Sequence, residues 1–136
     1  MAEISRLPSE AETALKNVKE WLSKRDFNDL NGLQFYSGPE LVEECKVLLG
    51  FLPAQCKESF DPQKRDTRVT AIRIHKSTTT VPVKEGSGGL LIPVNVGVGA
   101  TVGGQVLHEL DYAELKGGVV ATPDFYALLL LSRAIA

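Results

Sequence analysis

The chain of 136 residues is 43% apolar and carries a formal net charge of -2, from 15 Lys and Arg against 17 Asp and Glu. That is one domain's length with enough apolar residues for a single core, and the near-neutral balance excludes a molecule that attracts nucleic acid or acidic membranes as a whole. Two cysteines, Cys45 and Cys56, are too few for a disulfide scaffold, and the longest apolar run, Phe125 to Leu131, falls far short of the roughly 18 residues of a membrane span.

The polar start from Met1 to Leu7 does not resemble a secretory signal, and no Cys stands at a terminus for prenylation. The expectation is a soluble protein of an intracellular, reducing compartment. The first element begins at Ser9, where Ser9 and Glu12 make a capping-box pattern and Ala11, Ala14, Leu15, Val18, Trp21 and Leu22 recur at helical spacing. A helix over residues 10–25 follows, its other face solvated by Glu12, Lys16, Lys19, Glu20 and Lys24. The connector 26–38 has turn chemistry in Asn28, Asn31, Gly32 and Gly38, yet Phe27, Leu30, Leu33, Phe35 and Tyr36 need cover, so it should fold back onto the core. Ser37 and Glu40 form a second capping box with Pro39 in the first turn, and Leu41, Val42, Cys45, Leu48, Leu49 and Leu52 give a second amphipathic helix ending near Gly50 and Pro53.

After a polar loop over 54–66, β-branched residues dominate, and 67–76 and 78–84 read as strands. Seven of the 12 glycines fall between Gly86 and Gly104, around the apolar string from Leu90 to Val96, where Pro93 argues for an edge or a bulge. The stretch 105–116 fits either a helix closed by Lys116 and Gly117 or a strand, and the helix is preferred. Thr122, Pro123 and Asp124 then supply an N-cap, a first-turn proline and a dipole-favourable acid for a closing apolar helix. The expected fold is a single α+β domain over 1–136. It has two N-terminal amphipathic helices (helical region 1–56), a β-rich, Gly-containing middle (67–121) and a C-terminal apolar helix (122–136).

The glycines Gly97, Gly99 and Gly103 follow a strand, as in a dinucleotide-binding turn, but the third stands one residue late and no Gly-Lys-Ser or Gly-Lys-Thr follows. Turns, bulges or a close backbone approach between subunits explain them better. Cys56, His108 and Asp111 stand in an order suited to nucleophile, base and orienting acid, with Asn95 a second candidate orienter, yet Cys56 lies in a charged stretch with no helix start to depress its pKa. Cys45 belongs to an apolar stripe and reads as core. No short paired spacing occurs among His75, His108, Glu109, Asp111 and the cysteines, so no metal and no cofactor is assigned.

The segment from Lys64 to Lys76 holds Lys64, Arg65, Arg68, Arg73 and Lys76 against the single acid Asp66, a local +4 that could bind phosphate or, in the bland case, mark a charged edge strand. Arg68 and Arg73 fall on opposite strand faces, and no aromatic residue between Phe60 and Tyr112 offers a stacking platform. The closing helix is apolar on nearly every side, so Phe125, Tyr126, Leu129 and Leu130 are expected at an oligomer interface. The expected function is a non-enzymatic, self-associating structural or assembly module, a homo-oligomer of the coat, matrix or regulatory type. It docks an anionic partner, such as RNA or an acidic protein or lipid surface, through the basic segment. The alternative is a small cysteine-dependent hydrolase using Cys56 and His108.

Overall fold

The computed structural model describes residues 2–30, 33–52, 54, 65–74, 78–81, 83, 88–115 and 117–134. In chain order these form β1 (Ala2–Arg6), a 3-10 turn (Ser9–Ala11), α1 (Glu12–Leu22), β2 (Asn28–Leu30), β3 (Leu33–Tyr36), α2 (Pro39–Leu49), β4 (Arg65–Ile74) and β5 (Thr79–Val81). There follow β6 (Gly88–Val96), β7 (Thr101–Val102), β8 (Gln105–Val106), β9 (Asp111–Leu115), β10 (Val119–Thr122) and β11 (Phe125–Ala134). Among the described residues the chain is mostly β, its strands arranged as two sheets, which corrects the α+β expectation. A seven-stranded sheet runs β1-β9-β6-β11-β4-β3-β2, and a four-stranded sheet runs β5-β10-β7-β8.

The large sheet is the middle of three layers. On one face α1 and α2 bury Ala14, Leu15, Val18, Leu22, Leu41, Cys45 and Leu48 against Ala71, Leu90, Ile92, Val94, Leu128 and Leu130. On the other, Ile72, Ile74, Leu91, Ala113, Leu115, Phe125, Ala127 and Leu129 meet Val81, Val102, Val119 and Ala121 of the small sheet. The helices keep the apolar spacing read from the sequence, although neither predicted capping box closes. No side chain caps α1 or α2, and the Ser37 hydroxyl bonds Thr70 Oγ1 at 3.2 Å instead.

The predicted C-terminal helix is instead β11, paired with β4 from Phe125 to Ala134 and with β6 from Phe125 to Ser132. A central strand covered on both faces reads as an unbroken apolar run, as does a buried helix, so Phe125 to Leu131 carries no period that separates the two. Burial at about 1.5 to 3 kcal/mol for each large apolar side chain then favours the solution in which both faces are covered. The Thr122 hydroxyl, expected to cap that helix, donates to the Gly99 carbonyl (2.9 Å) and accepts from the Thr101 N–H (3.0 Å), tying β10 to β7.

The preferred helix over 105–116 is likewise corrected, to β8, a turn and β9. Leu110 adopts φ +72°, which interrupts any helix there, and its carbonyl accepts from the Leu7 N–H at 2.6 Å where β1 joins β9. The glycine string makes turns. Gly103 and Gly104, with φ +57° and +79°, are the two-residue loop between the paired Val102 and Gln105, a left-handed turn suited to a tight hairpin. Gly97 permits a close backbone approach within the chain, since a Cβ there would stand 2.9 Å from the Asp124 carbonyl oxygen. Pro93 marks a bulge in the interior strand β6: the register with β11 shifts between Tyr126 and Ala127, which face Asn95 and Pro93.

Candidate functional site

The bulge shapes one end of the large sheet. Tyr126 faces Asn95 and the next pair is Ala127 with Pro93, so Val94 is the extra residue. Val94 joins the helix-side core and Asn95 lines a cleft on that same face. A cross-strand row results: Asp29 faces Gln34, Gln34 faces Arg73, Arg73 faces Tyr126 and Tyr126 faces Asn95. Above the Tyr126 and Asn95 end, the second half of α1 closes a cleft of about 290 Å³. Its floor is Val94, Asn95 and Tyr126, and its helical wall is Lys16, Lys19, Glu20, Leu22 and Ser23.

Aromatic and guanidinium groups surround Tyr126. The Arg73 guanidinium carbon lies 4.7 Å from the Tyr126 ring centroid, and its Nη2 lies 3.6 Å from Asp124 Oδ2. Arg73 Nε is buried without a hydrogen-bond partner among the described residues. Phe27 meets Tyr126 edge-on at 5.5 Å and lies 6.2 Å from Tyr36, which in turn meets Trp21 at 5.9 Å. Arg25 stacks over Trp21 at 4.2 Å. Each of the two cleft lysines makes a surface pair, Lys16 with Glu12 at 3.6 Å and Lys19 with Glu109 at 3.5 Å.

The basic segment is divided. Arg73 stands beside the cleft, whereas Arg68 is exposed and shares the opposite strand face with Ile72 and Ile74. Arg65 opens β4 opposite Ala134, and Lys64 and Lys76 lie outside the described residues. The residues expected at an oligomer interface are placed differently from that expectation. Phe125, Leu129 and Leu130 are buried inside the chain's own layers, so their apolar surface requires no second subunit, and Tyr126 forms part of the cleft floor.

For the hydrolase constellation, His108 and Asp111 do meet. The His108 backbone N–H donates to Asp111 Oδ2 at 2.9 Å and Nδ1 lies 3.5 Å from the same oxygen, with the imidazole exposed and the carboxylate buried. Cys56 lies outside the described residues. Cys45 is sealed in the core, where burial and then the neighbouring Glu44 charge push its thiol up to about 12, so it stays protonated and inert. Among the described residues no three His, Cys, Asp or Glu side chains converge as a metal site, and no helix is long and apolar enough to cross a membrane.

Sequence reasoning nominated Arg73, Asn95 and Tyr126 for three unrelated reasons and placed Lys16, Lys19 and Glu20 on a solvated face. Strand register and the bulge bring the first three to one place, and the packing of α1 on the sheet adds the helical residues. Comparison with protein-family models and with curated protein sequences finds no match for this chain.

Proposed function

We propose that the protein is a non-enzymatic binding module that docks single-stranded RNA at the cleft between α1 and the bulged end of the large sheet. The observation that carries this reading is Arg73 laid over Tyr126 at 4.7 Å, on a cleft whose opposite wall presents Lys16 and Lys19. A single-strand reader needs cations along the backbone and aromatic rings for unpaired bases. The basic segment alone has no aromatic residue; Tyr126 brings a ring to the cleft from β11, and Phe27, Tyr36 and Trp21 continue from it as a chain of partly buried ring contacts. An acidic protein or a lipid headgroup would use the charges and leave the rings idle, so RNA is favoured over both.

Exposed ion pairs contribute about 0 to 1 kcal/mol, so Lys16 and Lys19 can leave Glu12 and Glu109 for phosphate at little cost. The test is fluorescence anisotropy of a mixed-sequence single-stranded RNA across a salt series. Affinity should fall with salt, and Lys19→Gln should reduce the log-log slope by about 0.7, the share of one phosphate contact on a single strand, whereas Arg68→Gln should leave it unchanged. Absence of salt-dependent binding rejects the proposal.

A further inference from the structure

We infer that the cleft receives the base of one unpaired nucleotide, held between Tyr126 and the α1 wall and read along its edge by the Asn95 amide. This rests on the RNA reading above and adds to it a site of base recognition. The cavity, about 290 Å³, falls just below the range of ligand clefts, roughly 300 to 1,000 Å³, and suits one ring system rather than a paired or stacked set. Its walls are apolar where a ring would lie, at Leu22, Val94 and the Tyr126 ring. In register, Tyr126 stands between Arg73 on β4 and Asn95 on β6; the Arg73 guanidinium lies 4.7 Å from its ring centroid, and Tyr126 and Asn95 line the cleft together.

The second requirement is an edge reader. Asn95 carries a donor and an acceptor side by side, the pair that matches the adjacent donor and acceptor of a base edge, and adenine presents these as N6 and N7. Its side chain is half-buried at the bulge, where competing water is reduced, and it has no hydrogen-bond partner among the described residues. Lys16 and Lys19 stand at the helical wall, where the nucleotide's phosphate would lie. The bulge is the positioning device: in unbroken register the alternation of strand side chains would send Asn95 to the opposite face of the sheet.

The experiment measures binding of the full chain to a short adenine-containing single-stranded RNA and to the same strand with one base removed at each position in turn. Free adenosine monophosphate and uridine monophosphate are titrated in parallel and followed through the Asn95 side-chain amide resonances. One abasic position should weaken binding roughly tenfold or more, the worth of one stacked and hydrogen-bonded base. The Asn95 amide should shift with adenosine monophosphate more than with uridine monophosphate. Asn95→Ala should remove the preference between bases and leave the salt slope intact. Equal affinity for every abasic strand overturns this inference while the RNA-docking proposal stands. No RNA binding, with adenosine monophosphate still shifting Asn95, keeps the base site, makes the free nucleotide its ligand and rejects RNA docking. The abasic comparison needs no protein variant, so it holds even where Asn95→Ala fails to fold.

Discussion

Two side chains with opposite fates show how position decides chemistry. Cys45 is a thiol that the fold withdraws from reactivity: its pKa rises from 9.0 to about 12 because ionisation would place a charge among Leu41, Leu48 and the sheet. Since the folded value exceeds the unfolded one, this thiol leaves stability unchanged below pH 9.0 and withdraws it as the pH climbs from 9.0 toward about 12. Urea midpoints from pH 8 to 10.5 should therefore fall more steeply for the native chain than for Cys45→Ala, and parallel curves would show that the thiol is not buried. Glu20 is the converse, a carboxylate facing the same cleft as Lys16 and Lys19. It opposes a phosphate there, so Glu20→Gln should tighten RNA binding several-fold at low salt, and the gain should shrink as salt screens the charge. Arg73 was legible as a candidate from its charge alone, but its partner was not. Tyr126 is 53 positions away in the chain, and only the β4 and β11 register makes them neighbours.

At the scale of elements, local signals succeeded where one face is wet and failed where both are dry. The spacing of Leu15, Val18 and Leu22 against Lys16, Lys19 and Glu20 marks α1, and Leu41, Cys45 and Leu48 mark α2, because a half-buried helix leaves its period in the sequence. In β11, Leu128 and Leu130 face the helices while Leu129 faces the small sheet, so no polar residue reports the alternation. Thr122, Pro123 and Asp124 read as a helix start from residue type alone, although the Thr122 hydroxyl serves a strand contact. The bulge was half visible: Pro93 announced an irregularity, yet no sequence signal says that it turns Asn95 toward α1. Leu129→Asp places a carboxylate between two sheets with no partner, at a cost of several kcal/mol. The expected result is loss of the folded state, seen as collapse of the far-UV strand signal and of the thermal transition. A folded variant with only its oligomeric mass changed would return Leu129 to an interface.

For the whole molecule, the large sheet serves as a common wall, with one core beneath the helices and another beneath the small sheet. The cleft opens on the helix side at the sheet's irregular end, where the bulge and the α1 terminus leave room that regular packing would fill. The small sheet lies on the far side, and its glycine turn supports a hairpin rather than a phosphate site. The most direct measurement is a titration of the isotopically labelled chain with single-stranded RNA, reading backbone and side-chain amide shifts residue by residue. Binding at the cleft predicts the largest changes over Lys16 to Ser23 and at Asn95 and Tyr126, with Arg68 and the small sheet unmoved. Changes centred on Arg68 and the opposite strand face, or no changes at RNA concentrations that saturate other single-strand binders, would contradict the account.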